Sequence, residues 1–260
     1  MMLDTKRMFL DLLPRFAVDT VCDVGSMNGA DARAFRRVLP GARVIAFEPN
    51  PMNLQSMRTD ARLRERGIDV LPLAITNHDG EAPFFLVKAD YAAAHDRRGM
   101  SSLYERVVPE LRDGAIPART ARLDTVLARR NGEPSRRIAM WIDVEGKSFE
   151  AIQGAQGVLA ETLLLHVEVE TEPCIGPAQK LHSEVDALLE AEGFVQIARD
   201  RAAREPQFNA LYVRRELSAS QRHGLRTSMV KHRARWLAIS TLRKICPGCL
   251  RRWRQTFPRE

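Results

Sequence analysis

The chain has 260 residues, of which 45% are hydrophobic and 28% are charged, as in a globular protein. Its four cysteines are too few for a disulfide framework in a chain of this length, and no segment approaches ~18 uninterrupted apolar residues, which excludes a disulfide-stapled or membrane-spanning protein. The net charge of +7 is uneven, because residues 214–260 hold 13 Lys or Arg against two Glu and the rest of the chain is mildly acidic.

The N-terminal segment "MMLDTKRMFLDLLPRF" has acids within its apolar run and no small-residue cleavage site. We therefore expect a cytoplasmic protein. A basic C-terminal segment would allow it to be peripheral to a membrane.

Apolar runs of strand length alternate with helical patterns through the first third of the chain. They are "TVCDVG", "ADARAFRRVL", "ARVIAFE", "PMNLQSMRTDARLRERG" and "IDVLPLAI". This alternation predicts parallel strands joined by crossover helices. The turn "NHDG" then leads to "APFFLV", predicted as an antiparallel excursion, and residues 88–120 are predicted to be irregular.

The alternation returns with "RRIAMWIDVEG" as a buried strand, "SFEAIQGAQGVLAE" as a helix and "TLLLHVEVE" as a strand. A helix ended by Gly193 and two strands follow. The predicted fold is a three-layer α/β sandwich of Rossmann-like type, with a mostly parallel sheet and an antiparallel closing strand. We assign residues 1–215 to this domain and residues 216–260 to a basic helical tail.

The first strand passes into a helix through a glycine-containing turn, with Asp23, Gly25 and Gly29 around it. Such a turn directs backbone N–H groups and the positive end of the helix dipole into a crevice. A dinucleotide fingerprint needs glycine where this chain has Met27, so pyrophosphate is disfavoured on steric grounds. S-adenosylmethionine (SAM) has no phosphate, and its ammonium group favours an acid such as Asp23.

The second strand ends in "VIAFEPNP", which places Glu48 where a carboxylate can receive the ribose diol of SAM. Pro49 stops the strand, and Asn50 can cap the next helix with Pro51 at its first position. Taken alone the glycine turn is explained equally well by local geometry. The turn and Glu48 together favour a cofactor site, which we extend to Ser26, Asn28, Pro49 and Ala74.

The element "WIDVEG" places Asp143 at a strand end and Glu145 and Gly146 in the turn that follows. Ligands of open α/β sheets bind beyond the carboxyl ends of strands, so this turn is expected to face the same crevice as Gly25. Asp143 and Glu145 are candidate catalytic acids. The alternative is that they cap the helix beginning near Ser148.

In "LLLHVEVET", the ionisable residues His166, Glu168 and Glu170 alternate and therefore share one face of a strand. Three such groups on a buried strand are costly unless they are paired or reach a solvated cleft. Glu168 is a candidate site residue, and His166 is either a candidate base or a structural histidine. The spacing of the acids does not demand a metal ion, so none is predicted.

Several of these segments together resemble the FkbM family of SAM-dependent methyltransferases. They are "VCDVGSMNGADARAF", "ARVIAFEPNP", "LPLAITNHDGEAPFFLV", "SSL", "ARLDTVL" and "IAMWIDVEGKSFEAIQGAQGVL" with "HVEVE". The resemblance spans residues 18–213 and implies a class I methyltransferase fold and, usually, O-methylation of a sugar or other hydroxyl-bearing natural product. It implies cofactor contact for Asp23, Gly25, Gly29 and Glu48, and a role in the active cleft for Asp143, Glu145, Gly146 and Glu168.

One departure from the family pattern lies in the first turn. The family commonly has Gly-Ala-Asn there, whereas this chain has Gly25-Ser26-Met27 with Asn28 one place later. The tail after Arg215 has no counterpart in the shared pattern.

Residues 225–245 are predicted to form a helix with Leu225, Met229, Trp236 and Ile239 near one face and basic residues around it. Such a helix suits an anionic membrane surface or a polyanion. A helix packed on the body of the protein, or a partly disordered tail, explains the pattern as well. Cys246 and Cys249 have the spacing of half a zinc site, which is insufficient without a second pair.

Two other functions fit parts of the sequence. An NAD(P)-binding oxidoreductase would use the same strand-turn-helix, and a non-catalytic protein would act through the basic tail. The acceptor of a methyltransferase is not identified by any motif, although His78, His95, Ser101 and Ser102 lie in or near the predicted acceptor region. The sequence does not set the oligomeric state.

Overall fold

A computed structural model describes residues 2–88, 99–128, 135–201 and 205–245. Its strands are β1 (Thr20–Val24), β2 (Arg43–Phe47), β3 (Asp69–Leu71), β4 (Ala74–Ile75), β5 (Gly80–Val87), β6 (Arg112–Ala121), β7 (Ile138–Ile142), β8 (Thr162–Glu170), β9 (Phe194–Arg199) and β10 (Gln207–Arg214). Its α-helices are α1 (Thr5–Arg15), α2 (Ala30–Val38), α3 (Pro51–Thr59), α4 (Ala61–Glu65), α5 (Leu123–Val126), α6 (Ser148–Gln153), α7 (Gln156–Leu159), α8 (His182–Ala191) and α9 (Ala219–Ile245).

Seven strands form the central sheet in the order β3-β2-β1-β7-β8-β10-β9. The first five are parallel, and β10 runs antiparallel to both of its neighbours, β8 and β9. The predicted α/β class with a mostly parallel sheet and an antiparallel strand is therefore confirmed. Because β1 and β7 are adjacent, the turns that follow them meet at one edge of the sheet.

Both faces of the sheet are covered, which explains why its central strands are apolar throughout. On β7, Ile138, Met140 and Ile142 pack against α5 to α8, while Ala139 and Trp141 pack against α1 and α2. The long helix α9 lies outside α1 and adds Leu225 and Met229 to that second layer. Within the described ranges, no helix is long and apolar enough to cross a bilayer.

A small second sheet, in the order β4-β6-β5, lies outside the central one. The predicted excursion "APFFLV" is β5, which pairs antiparallel with β6. The prediction that residues 88–120 are irregular was wrong for residues 112–120, which belong to β6. The cause is that Gly114 and Pro117 hide the strand pattern, and the pairing with β5 supplies the order that the local sequence lacks.

Three predicted elements are each divided in two. "IDVLPLAI" contributes β3 to the central sheet and β4 to the small one. The helix predicted after Pro51 breaks at Asp60, whose side chain accepts from the N–H of Arg62 and so caps α4. The helix predicted after Ser148 breaks at Gly154, where a Cβ would lie 2.1 Å from the carbonyl oxygen of Thr76.

Candidate active site

The turn after β1 is held between the ends of its two neighbouring strands. The N–H groups of Gly25 and Ser26 donate to the carbonyl of Phe47 at 3.1 and 2.9 Å. Gly25 has φ +87°, and a Cβ on it would lie 1.8 Å from the carbonyl oxygen of Asp143. Glycine is therefore required at this position by its φ and by the approach of the β7 backbone.

Asp23 lies beneath this turn and is 1% exposed. Its Oδ2 accepts hydrogen bonds from Ser26 Oγ at 2.6 Å and from the N–H of Ala32 at 3.1 Å. Burial raises the pKa of Asp23 to about 8. Both bonds go to residues of the turn and of α2, so the carboxyl ties the turn to the helix that follows it.

Asn28 and Gly29 shape the start of α2. Asn28 Oδ1 accepts from the N–H of Ala30 at 2.9 Å, and Gly29 adopts a left-handed conformation at the N-cap. A Cβ on Gly29 would lie 2.7 Å from the Leu63 side chain. Both residues therefore contribute to the geometry by which the chain enters the helix.

Glu48 follows β2 and is 4% exposed. Its Oε2 accepts from the N–H of Met27 at 2.7 Å, and its Oε1 accepts from the N–H of Asn50 at 2.8 Å. Burial raises the pKa of Glu48 to about 7. A carboxylate has about four lone-pair sites, so these two bonds and a further hydrogen bond from the Asn53 side chain leave acceptor capacity for a ligand hydroxyl. As predicted, Asn50 caps α3 and Pro51 is its first residue.

A cleft of about 500 Å³, counted out to its solvent opening, lies beside the turns after β1 and β7. Its polar lining comes from these two turns and from Glu48, Asn53 and Ser101, and an apolar wall is formed by Leu73, Ala74, Ile75 and Phe84. The full lining is Gly25, Met27, Glu48, Pro49, Asn53, Leu73, Ala74, Ile75, Phe84, Gly99, Ser101, Leu103, Asp143, Val144 and Lys147. Of the predicted cofactor residues, Gly25, Glu48, Pro49 and Ala74 line the cleft, whereas Asp23, Ser26, Asn28 and Gly29 build the turn beside it.

Met27 lines the cleft at the position where a dinucleotide fingerprint requires glycine. The residue itself adopts φ +53°, which is uncommon for a side chain larger than glycine. Its sulfur lies 3.1 Å from the position that a Cβ on Gly99 would take. A long side chain therefore occupies the space beside the turn, as the steric argument from the sequence expected.

Three carboxyl groups meet at the ends of β7 and β8. Oxygens of Asp143, Glu145 and Glu168 all lie within 4.8 Å of one another, close enough to hold a divalent cation. Asp143 lines the cleft, and its N–H donates to the carbonyl of Val24 at 2.9 Å. The sequence interpretation that Asp143 or Glu145 caps the following helix was wrong, since α6 has Lys147 as its N-cap residue and no side-chain cap.

The pKa values of the three acids are shifted to different extents. Burial, and then the nearby carboxylate of Asp143, raise the pKa of Glu168 well above its ordinary value. Burial also raises the pKa of Asp143, but its hydrogen bond with Glu168 opposes that shift. Of the two acids, Glu168 therefore has the pKa that is raised more strongly, and it is the one more readily protonated.

Glu145 is fixed in an unusual backbone conformation, with φ +51°. Its carbonyl accepts from Ser102 Oγ at 2.7 Å, and its Oε2 lies 2.5 Å from Arg106 Nη2. Burial raises the pKa of Glu145 to about 7, and the Arg106 guanidinium limits that rise. The "SSL" segment and Arg106 thus hold the "IDVEG" turn from across the cleft, with Gly146 at φ +89° completing the turn.

His166 lies away from the acids although it shares a strand face with them. Its ring stacks on Trp141 with centroids 3.5 Å apart, and its Nε2 lies 3.0 Å from Thr5 Oγ1 at the start of α1. Burial lowers its pKa well below the ordinary histidine value. These surroundings favour the structural alternative for His166. Glu170, farther along β8, accepts from Gln207 Nε2 at 3.3 Å.

The remaining candidates differ in their placement. Ser101 lines the cleft, and its Oγ accepts from the N–H of Val87 at 3.2 Å. Ser102 is buried and contacts the Glu145 carbonyl rather than the cleft lining. His78 is exposed beside Asn77, while His95, Cys246 and Cys249 lie outside the described residues.

Sequence reasoning did not find Arg106 and Lys147. Arg106 is 6% exposed and pairs with Glu145, and Lys147 lines the cleft with its Nζ 2.8 Å from Glu150 Oε1. Lys147 lies next to the "IDVEG" element and could have been found from that position. Arg106 lies in a segment without periodicity, and no local signal distinguishes it from the chain's other arginines.

The chain matches one known family of proteins. The model of the methyltransferase FkbM domain matches residues 23–195, from the acid of the first turn to the start of β9. The chain belongs to the FkbM methyltransferase family. It is a SAM-dependent methyltransferase, and SAM is its cofactor.

Two curated relatives are methyltransferases. The 2-O-methyltransferase NoeI of Sinorhizobium fredii (strain NBRC 101917 / NGR234) is 27% identical over 189 residues, covering 69% of this chain and 74% of the relative. Methyltransferase sdnD of Sordaria araneosa is 27% identical over 219 residues, covering 75% of this chain and 81% of the relative. A solved structure of magnesium protoporphyrin IX methyltransferase from Synechocystis PCC 6803 with bound SAM matches at 11% identity and a TM-score of 0.42, over 81% of this chain and 79% of that one.

The residues that line the cleft are of kinds that suit SAM. Gly25 and Glu48 both line the cleft, although the N–H groups of Gly25, Ser26 and Met27 are already bonded to Phe47 and Glu48 and do not point into it as free donors. The apolar wall formed by Leu73, Ala74, Ile75 and Phe84 suits an adenine ring. No phosphate-binding geometry is needed for this ligand.

Proposed function

We propose that the protein transfers a methyl group from SAM to a hydroxyl oxygen of a sugar or another hydroxyl-bearing natural product. The observation that carries this proposal is the cluster of Asp143, Glu145 and Glu168, with Asp143 on the wall of the same cleft as Glu48. A hydroxyl nucleophile must lose a proton during transfer, and a carboxylate beside the cleft is suited to accept it. The name of the relative NoeI, a 2-O-methyltransferase, supports oxygen as the acceptor atom.

In this proposal, the predicted cofactor residues either contact SAM or position the turn beside it. Glu48 binds the ribose hydroxyls, and Ala74 with its apolar neighbours packs on the adenine. Ser26, Asn28, Gly29 and Asp23 act as positioning residues, because they build the turn rather than line the cleft. Pro49 fixes the direction in which the chain leaves Glu48.

When bound, SAM supplies a methyl carbon on a positively charged sulfur, which makes that carbon open to in-line attack. Asp143 accepts the proton of the attacking hydroxyl at its carboxylate oxygen. Glu168 keeps its own proton and donates a hydrogen bond to Asp143, which stabilises Asp143 as the anion. Glu145, neutralised by Arg106, holds the turn that carries Asp143 without adding a second free charge beside it. His166 supports the sheet beneath the site.

Cofactor binding is tested by calorimetric titration with S-adenosylhomocysteine (SAH). Glu48→Ala is expected to weaken binding by roughly tenfold or more, which corresponds to about 1.4 kcal/mol for the lost ribose contacts. Asp143→Asn keeps the size of the side chain and is expected to bind SAH as the unchanged protein does. Equal SAH affinity in the unchanged protein and Glu48→Ala would contradict the assignment of Glu48.

Catalysis is tested by incubating the protein with SAM labelled in its methyl group and extracts of the source cell, and then identifying the labelled product. NMR of that product locates the methyl group on oxygen, nitrogen or carbon. Asp143→Asn is expected to slow transfer by roughly 10²-fold or more while SAH still binds. A methyl group on nitrogen or carbon would overturn O-methylation and leave the cofactor assignment intact.

A further inference from the structure

The long helix α9 is anchored by one face and leaves the opposite face open. Ser228 and His232 are buried on its inner face, and Lys231 Nζ lies 2.7 Å from Asp11 Oδ1 of α1. Gly224 packs against Arg15, where a Cβ would lie 3.0 Å from the Arg15 Cβ. These contacts fix the rotation of α9 about its axis, so the residues that point away from the body are determined.

We call the opposite side of this helix the outer face of α9. The residues that define it follow helical spacing and are Arg222, Arg226, Val230, Arg233 and Leu237. All five are exposed, and Val230 and Leu237, which lie two helical turns apart on this face, are 68% and 58% exposed. Trp236 lies beside this face and is 41% exposed.

The charge of α9 has a single sign. Residues 217–245 contain seven Lys or Arg and no Asp or Glu, although the body of the protein is mildly acidic. A solvated surface helix normally carries charges of both signs. An outer face that combines arginines with exposed aliphatic residues matches a partner that is anionic at its surface and apolar beneath.

The helix also points toward the catalytic edge of the protein. α9 runs antiparallel to α1, since Gly224 packs on Arg15 and Lys231 pairs with Asp11. The start of α1 lies at the edge of the sheet that carries the cleft, because Lys6 Nζ lies 2.5 Å from Asp31 Oδ1 in the first turn of α2. The C-terminal half of α9 therefore approaches the side of the molecule on which the cleft opens.

We propose that the outer face of α9 docks the protein on an anionic lipid membrane surface. The arginines are attracted to lipid phosphates, and Val230 and Leu237 enter the boundary between headgroups and acyl chains. A nucleic acid or another polyanion would use the arginines but would gain nothing from the two aliphatic side chains. Attraction between charges therefore explains only the arginines of this face, whereas a lipid surface explains both the arginines and the exposed aliphatic side chains.

The test uses sedimentation of the full chain with phosphatidylcholine vesicles, with and without phosphatidylglycerol. We expect binding only to the vesicles that contain phosphatidylglycerol, and weaker binding at about 0.5 M than at about 0.1 M salt, because screening shortens with ionic strength. Absence of binding to the phosphatidylglycerol vesicles at low salt would overturn the proposal.

The contribution of charge to membrane binding is tested with one pair of substitutions on the outer face of α9 and a control pair elsewhere. Arg226→Glu with Arg233→Glu is expected to weaken vesicle binding at least tenfold, since each arginine near an anionic surface contributes roughly fivefold. The matched control, Arg58→Glu with Arg64→Glu on α3 and α4, changes the net charge equally and is expected to keep binding. Equal loss in both pairs would show a non-specific effect of net charge and would overturn the proposal.

Val230→Ser with Leu237→Ser leaves every arginine in place. We expect it to weaken vesicle binding by roughly tenfold and to leave retention on a heparin column unchanged. Unchanged vesicle binding in this pair would overturn the membrane proposal in favour of a polyanion. Titration with SAH reports the folding of each variant, because the cleft lies on the body of the protein and none of these residues lines it.

Discussion

The first turn can form only because residue 25 has no side chain. The turn must approach β7 so closely that the carbonyl oxygen of Asp143 occupies the place of a side chain. The same contact joins the cofactor side of the cleft to its acidic side. One glycine thus links the geometry of the two motifs that lie about 120 residues apart.

Gly25→Ala is expected to destabilise the protein by more than about 3 kcal/mol and to abolish SAH binding, because steric overlap adds to the cost of its positive φ. Gly114→Ala is the matched control, since Gly114 also has positive φ, +93°, but no atom of the described residues lies within 4 Å of the place that its Cβ would take. That control is expected to lose about 1 kcal/mol and to keep SAH binding. Urea denaturation and calorimetry measure both, and equal losses in the two variants would contradict the steric argument.

At the scale of elements, α1 connects the catalytic domain to the basic helix. Asp11 on α1 contacts Lys231 and Arg15 and lies 3.6 Å from His232 Nε2. Burial alone would raise the pKa of Asp11, but its hydrogen bonds with Lys231 and Arg15 outweigh that effect and the pKa is lowered to about 2. The helix α9 is therefore bound to the domain by a local network, and we propose that it remains docked rather than acting as a free tail.

Asp11→Asn is expected to loosen α9 without unfolding the domain. The Lys231 side chain is 58% exposed, so solvent screening limits the lost interaction to roughly 1 kcal/mol. Hydrogen exchange should show faster exchange for the amides of α9 and unchanged exchange for β1 and β7. Glu65→Gln, at an exposed acid on α4, serves as the control, and faster exchange across the whole domain would contradict a local role.

At the scale of the whole molecule, several carboxyl groups are buried or half-buried at the edge of the sheet that carries the cleft. Burial raises the pKa values of Asp23, Glu48 and Glu145 to about 8, 7 and 7. Each of these groups holds its proton more tightly in the folded chain than in the unfolded chain. Because the unfolded state then binds fewer protons, the free energy of unfolding falls as pH rises through this range.

We expect the stability of the protein without ligands to decrease between pH 6.5 and 8, above the ordinary histidine pKa. Asp23→Asn removes one of these groups while its Oδ can still accept from Ser26 and Ala32. This variant should flatten the decrease by about 1–2 kcal/mol over that interval. Urea denaturation at several pH values measures it, with Asp113→Asn at an exposed position as the control, and parallel pH profiles would contradict the assignment.

The sequence by itself determined the alternation of strands and helices, the acids at strand ends and the family. These features depend on local periodicity and on turn residues such as Gly25 and Asn50, which act over a few neighbouring positions. The carboxyl ends of parallel strands necessarily meet at one edge of a sheet, so Glu48 and Asp143 could be placed in one crevice from their positions alone.

Only the tertiary structure decided how these side chains are used. Asp23 binds the turn because α2 presents the N–H of Ala32 to it, and His166 is covered because α1 packs over Trp141. Arg106 reaches Glu145 from a segment without local pattern. Each outcome depends on a partner distant in the chain, and sequence periodicity contains no information on which distant surfaces come into contact.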